Sequence, residues 1–358
     1  MDRRSFLKSA GAAATASALP WRAALAAEGW QAYEIVSRVE ILKPSGVSRT
    51  WVPLPLSDDT PWHKAVGNAW SGNAAQARVM SDGKYGVGML VAEWSPGVAE
   101  PVIEVTSRFM TRERSVDLSR PGADPRRLSA EEQAFYTAPT ELIPTDGIVK
   151  QTAQQVTQGA RGDVDKARAI YEWVVDNTFR DPKTRGCGWG DIKSMLESGN
   201  LGGKCGDLNA MFVGLARAAG LPARDIYGLR VAPSMYGYRS LGVGSPNVTR
   251  AQHCRAEFFA KGYGWVPVDP ADVRKVILEE PPGNLPAGDA KVAAARKRLF
   301  GAWEMNWLAY NMGHDIALPG ASGPKLSYLM YINAQTGGMM RDQLDPDSVK
   351  YAITARAV

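Results

Sequence analysis

Cys205 stands where a chain most readily turns a thiol into a thiolate. The run Gly202-Gly203-Lys204-Cys205-Gly206-Asp207-Leu208-Asn209 leads into the apolar stretch Ala210–Pro222. The paired glycines permit a tight, non-helical approach, so Cys205 falls in the first turn of a helix. There the leading N–H groups lack internal partners and the macrodipole leaves partial positive charge. Such surroundings lower a cysteine pKa to roughly 3.5–7.5, against about 8.5 for a free thiol. The same N–H groups can hold an oxyanion. A small buried cysteine capping a core helix is the competing reading.

A thiol nucleophile needs a base within reach and a third group to orient that base. The chain has 3 histidines: His63, His253 and His314. His63, beside Trp62, reads as structural. His314, followed by Asp315, reads as a packing or surface residue. His253 opens an alternating strand, and Asp269 ends the strand that returns beside it. Asp269 is suited to accept the imidazole N–H. Cys205 is distant in sequence from both, so the fold must bring the three together.

The elements that would position them follow from periodicity. Leu208, Met211, Phe212, Leu215, Ala216 and Ala219 form an apolar helical stripe. Gly220 suits the C′ position and Pro222 blocks continuation. Gln252–Ala260 alternates as a strand, Lys261–Gly264 turns, and Trp265–Asp269 returns as a hairpin. Further helices are expected over Ser129–Glu132 onward, Thr145–Gln158, Asp163–Asn177 (with Asp163 as N-cap), Asp191–Ser198 and Asp289–Gly301. Asp225–Val231 reads as a strand, and His314–Pro319 and Ser327–Asn333 as strands extending the same sheet. Ala232–Thr249 reads as a long functional or mobile loop and Arg274–Gly288 as a proline-rich loop. Upstream, Gln31–Leu42, Val87–Glu93 and Val102–Thr111 alternate as strands. Trp51–Leu56, bounded by prolines, reads as an edge strand. The expected organisation is α+β: a small β-sandwich over residues 28–120, a linker at 121–129, a helix–sheet domain at 130–335 and a C-terminal tail at 336–358.

Residues 1–27 read as a removable leader. Asp2-Arg3-Arg4-Ser5-Phe6-Leu7-Lys8 is a twin-arginine signature, a weakly apolar run follows, and Ala24-Leu25-Ala26 fits a cleavage site. Pro20 and Arg22 leave the apolar run too short to span a bilayer, so no stable membrane insertion is expected after processing. The expected location is the periplasm, reached through the twin-arginine export machinery. The formal net charge is +5. Removing the leader leaves a mature chain near neutrality, which gives no reason to expect nucleic acid as a partner. The 3 cysteines, Cys187, Cys205 and Cys254, are an odd number for an exported chain. A Cys187–Cys254 bridge with Cys205 free is one possibility and no bridge is another.

The segment Gly202–Phe212, followed by Leu215–Arg224, resembles the nucleophile segment of the transglutaminase-like superfamily. Gln252-His253-Cys254-Arg255-Ala256-Glu257-Phe258 resembles its histidine strand, and Gly264-Trp265-Val266-Pro267-Val268-Asp269-Pro270 its aspartate strand. The resemblance covers about residues 130–335. It implies a papain-like, transglutaminase-core fold with a Cys205-His253-Asp269 triad. Cys205 would attack a carboxamide or peptide carbonyl to form an acyl-thioester. His253 would act as base and then acid, and Asp269 would hold the imidazole tautomer. Arg255 departs from the aromatic that often follows the histidine by two residues. Similar sequences use an upstream side chain as oxyanion donor, which nominates Trp189; the backbone N–H of Cys205 is a second candidate.

The expected function is an exported thiol-dependent amide or peptide hydrolase acting on a peptide, protein or cell-wall peptide amide. Transfer of the acyl group to an amine is an alternative, and a non-catalytic binding module on the same scaffold another. No cofactor is implied. A zinc site would need ligands at close spacing, and neither C-x-x-C nor H-x-x-x-H occurs.

Overall fold

Strict alternation builds the first strand. In the computed structural model, which describes residues 28–358, Ile35, Val39 and Ile41 of β1 (Trp30–Ile41) are buried in one core. The strands that follow are β2 (Ser48–Pro53), β3 (His63–Gly72), β4 (Gln76–Ser81), β5 (Gly88–Trp94) and β6 (Val102–Arg112). The helix–sheet part contains α1 (Ala130–Thr137), α2 (Gly147–Val156), α3 (Asp163–Asn177), α4 (Ile192–Ser198) and α5 (Cys205–Ala218). It continues with β7 (Ala223–Arg230), β8 (Gln252–Ala260), β9 (Gly264–Val268), α6 (Pro270–Glu279), α7 (Ala290–Arg298) and β10 (Trp307–Asn311). Three strands close the chain: β11 (Asn333–Thr336), β12 (Met339–Met340) and β13 (Val349–Ala357).

The N-terminal strands form two antiparallel sheets, ordered β13-β1-β6-β3 and β12-β11-β2-β5-β4. Their inner faces share one core through Ile35, Val39, Val52, Leu90, Trp94, Ile103 and Phe109. This is a β-sandwich, but residues 28–120 do not complete it. The expected C-terminal tail returns to it: β13 pairs with β1 from Tyr33↔Ala357 to Ile41↔Val349, and β11 pairs with β2. The expected boundaries at 335 and 336 therefore give way to a discontinuous β domain. The cause is edge satisfaction, because β1 and β2 each present a row of unpaired backbone groups that the returning chain covers. β2 is accordingly interior, not an edge; Pro53 is its last residue, where a missing N–H costs least. Removing residues 349–358 takes away the buried side chains of Val349, Ile353 and Ala355 and uncovers the edge of β1 that they pair with. At about 1.5–3 kcal/mol for each large side chain, the expected loss is roughly 5 kcal/mol, read as a lower urea midpoint for the truncated chain.

The central helix α5 is more enclosed than a single stripe requires. Every residue from Cys205 to Arg217 is buried, as befits a helix surrounded by structure on all sides. It lies against the antiparallel sheet β9-β8-β7-β10, with the Phe212 and Phe258 rings 6.2 Å apart. Gly220 has φ +84°, and Leu221 N–H donates to Ala216 O at 2.9 Å, which ends the helix as expected.

Other elements differ from expectation for identifiable reasons. The fourth strand of the core sheet is β10, not His314–Pro319 or Ser327–Asn333. The first meets the residue just before the second in one isolated bridge, Ile316↔Leu326, and the two cover the outer face of β2 and β5. There Ile316, Leu318 and Leu329 join Trp51, Met89 and Val91 in a second core. The start of the proline-rich stretch is helical: α6 is capped by Asp269, with Pro270 at its first position. The Ala232–Thr249 segment buries Tyr238, Leu241 and Val248, and Arg230 and Asn306 both donate to Leu241 O. It is an ordered wall. Gly162 takes the N-cap position of α3, with Asp163 as the first helical residue. The 121–129 stretch folds back on the hairpin turn, Gly122 and Asp124 N–H donating to Gly262 O.

Candidate active site

One carboxylate shapes the approach to α5. Asp207 accepts from the backbone N–H of Lys204 at 3.0 Å, Trp189 at 3.0 Å and Gly190 at 2.9 Å. It thereby ties the 186–190 loop to the helix start. The neighbouring glycines are needed for this closeness: a Cβ on Gly206 would lie 2.6 Å from Cys187 O, and one on Gly188 would run into the Asp207 carboxylate. Cys205 is thus the first residue of the 14-residue α5. Gly206 N–H is spent on Cys187 O at 2.7 Å, whereas Cys205 N–H meets no acceptor among the described residues.

The hairpin supplies the base and its orienter. β8 pairs with β9 up to Ala256↔Val268, which sets Asp269 just past the last rung and close to His253 and Arg255. His253 Nε2 lies 2.7 Å from Asp269 Oδ2. That bond leaves Nδ1 as the ring nitrogen available to the Cys205 sulfur. Asp269 is held on its other side as well: its Oδ1 accepts from Asp272 N–H at 3.0 Å and from Asn209 Nδ2 at 3.4 Å. Asn209 sits one turn beyond Cys205 and also donates to Cys254 O at 2.8 Å, fastening the helix to the strand. Trp307 Nε1 donates to His253 O at 2.9 Å.

Electrostatics favour a separated charge pair. The Cys187 thiol, then that of Cys254, donates to the Cys205 sulfur and holds its pKa well below the usual value; burial opposes this and His253 adds to it. Burial and the Arg230 charge oppose protonation of His253, yet Asp272 and Asp269 outweigh them and push its pKa up to about 10. Both shifts favour the thiolate–imidazolium form of the pair.

Sequence reasoning missed two participants, Asp272 and Asn209. Asp272 lies 3.4 Å from His253 Nε2 and is gripped by Arg230 through both oxygens, at 2.5 and 2.7 Å. Its placement three residues after an Asp-Pro cap was the available signal. Asn209 was legible as the i+4 neighbour of Cys205. Arg255 is buried, 3.6 Å from Asp269 Oδ2, with its guanidinium over the Trp307 ring. His253, Asp269 and Asp272 have the mutual spacing of metal donors. Their facing atoms are already engaged with one another and with Arg230, so the cluster is chemically an ion-pair network.

One nominated residue stands elsewhere. Trp189 is 72% exposed and lines a small recess with Tyr227 and His314, apart from the cavity over Cys205. The Asp207 clamp and positive φ at Gly188 and Gly190 leave its indole turned outward, away from the lining of that cavity. The cysteines are all free and buried, with Cys187 and Cys254 both beside Cys205 rather than bridged. His63 is buried, stacks on Phe109 at 5.9 Å, and burial holds its pKa down to about 3. His314 packs among Tyr85 and Tyr227.

Together these features define an α+β protein with a buried thiol at a helix start, facing a carboxylate-bound imidazole on an antiparallel sheet. The family model of the transglutaminase-like superfamily matches residues 150–270. An uncharacterised protein of Haemophilus influenzae is 36% identical over 337 residues, which span 89% of each chain. A crystal structure of a proposed cysteine protease from Cytophaga hutchinsonii shares the fold, with a TM-score of 0.54, 13% identity, and coverage of 91% of this chain and 98% of that one. The chain belongs to the transglutaminase-like superfamily. This membership supports a thiol-based hydrolase or transferase in general. Residues 1–20 match the twin-arginine translocation signal, which indicates export across the cytoplasmic membrane. These residues lie outside the described part of the structure. No helix among the described residues is long and apolar enough to cross a membrane.

Proposed function

We propose that this chain is a periplasmic thiol-dependent amide or peptide hydrolase that works through Cys205, His253 and Asp269. The observation that supports it most is the His253–Asp269 bond beside a thiol whose pKa is lowered at a helix N-terminus. The Cys205 thiolate attacks the carbonyl carbon, and the oxyanion takes the N–H of Cys205. His253, already protonated, gives its proton to the leaving nitrogen as the C–N bond breaks, leaving an acyl-thioester. The imidazole then takes a proton from water, which attacks the thioester and releases the carboxylate product and the thiolate. Asp269 holds the ring so that Nδ1 faces the sulfur throughout.

The pKa directions set the pH profile. Cys205 is depressed, so activity falls on the acidic side only once the thiolate takes up a proton. His253 is raised, so the general acid persists until about pH 10. The expected rate is a plateau through neutrality with an alkaline limb near pH 10. An alkaline limb near pH 7 would mean that the carboxylates do not hold the imidazole proton.

The reaction itself is tested by incubating the mature protein with a panel of peptide amides, acid-quenching, and mapping adducts by mass spectrometry. An acyl mass on the Cys205 peptide, with ammonia or amine released in equal amount, is the expected result. Incorporation of an added primary amine in place of water would redirect the reading to transfer. Release without any adduct, and equal in the Cys205→Ser chain, would sink it.

A further inference from the structure

The cavity over Cys205 and His253 has a volume of about 640 Å³, the size of a small-molecule or short-peptide site. Apart from the Cys205–His253 pair, its charged lining is of one sign. Seven lysine and arginine side chains contribute to the wall, and no aspartate or glutamate does. The carboxylates that answer these cations stand behind the wall, and there are too few of them. Arg180 and Lys275 share the single carboxylate of Glu279. Arg230, Arg185 and Lys350 are paired with Asp272, Asp342 and Glu40. Lys204, next to the nucleophile, directs its Nζ to Thr184 O at 2.7 Å and has no carboxylate partner among the described residues. Arg250 is exposed at the rim, likewise without an ion-pair partner among the described residues. The surplus does not reflect the chain as a whole, which holds 42 basic and 37 acidic side chains. It is local to the cleft between the β domain, which contributes Lys350 and Tyr351, and the helix–sheet core.

We propose that the acyl substrate is anionic: a peptide or amide carrying carboxylates beside the carbonyl that Cys205 attacks. This rests on the reading of Cys205 as nucleophile. Lys204 and Arg250 are the positions that meet those carboxylates. Arg250 is suited to do so through its planar fork, and Lys204 as a point charge next to the reacting centre. Low-dielectric walls of one sign concentrate oppositely charged ligands, and the effect weakens with salt. A neutral amide gains nothing from that field, whereas a carboxylate-bearing one is drawn to the thiol.

Two alkylating probes of similar size separate the charge claim from the nucleophile claim. Iodoacetate is anionic and iodoacetamide neutral; both report on the Cys205 thiolate by mass spectrometry of its peptide. With glutathione as the reference thiol, the iodoacetate-to-iodoacetamide rate ratio at Cys205 is expected to be roughly tenfold higher at low salt. It should fall toward the reference in 1 M salt. Arg250→Gln should lower the ratio several-fold and Arg250→Lys should restore most of it. Labelling at Cys205 no faster than glutathione with either probe would overturn the nucleophile reading, and this inference with it. Fast labelling with the reference ratio, or a raised ratio indifferent to both Arg250 variants, would overturn the anionic substrate alone.

Discussion

Replacing Cys205 by serine is expected to reduce turnover by roughly 10⁴-fold or more with no change in fold. The sulfur matters because its surroundings favour its anion, through thiol donors from Cys187 and Cys254 and the adjoining imidazole. A serine hydroxyl in the same place stays protonated, because nothing near it is basic enough to ionise an alcohol. The two side chains differ by one atom, so the packing of α5 is preserved and circular dichroism and thermal unfolding should match the parent. Steady-state rates on any substrate that acylates the parent provide the measurement. Turnover within tenfold of the parent would reject covalent catalysis by Cys205.

The Asp269→Asn chain should lose about as much rate for a different reason. The carboxylate accepts from His253 Nε2, Asp272 N–H and Asn209 Nδ2. An amide in its place can still accept at the helix cap through its oxygen, so α6 keeps its N-terminal anchor. Its nitrogen cannot accept from the imidazole, which favours the wrong tautomer and withdraws the charge that raises the His253 pKa. A loss of roughly 10³–10⁴ in kcat is expected, with KM little changed. The alkaline limb should move below that of the parent. Cys205 alkylation should persist, because the Cys187 and Cys254 donors remain. Parental kcat would show that Asp272, 3.4 Å from the same nitrogen, orients the ring instead.

The parts of the site legible in the sequence were those governed by local rules. Glycines before an apolar stripe placed Cys205 at a helix start, and period-two alternation with a short turn placed His253 and Asp269 on one hairpin. What escaped was set by contacts between distant segments. Val349, Tyr351, Ile353 and Ala355 alternate as a strand should, yet nothing local says that their partner is β1. The segment around Ile316 and Leu329 is apolar enough for a strand, but its apolar side chains cover Trp51 and Met89. The α6 helix was hidden by Pro281 and Pro282 downstream, although Asp269-Pro270 followed by Val273 and Val276 carries a cap and an apolar period. Trp189 was nominated by the family resemblance and its upstream position. Its orientation depends on Asp207, two elements away, which no spacing rule encodes.

The thiolate itself can be titrated. Its absorbance at 240 nm, taken as the difference between the parent and the Cys205→Ser chain across pH, isolates one sulfur from the other two. Burial and hydrogen bonding to Cys205 raise those two well above the usual range. A midpoint well below the value of about 8.5 for a free cysteine, shifted upward by His253→Ala, is the expected result. A midpoint at or above that value, indifferent to the histidine, would contradict the thiolate–imidazolium pair.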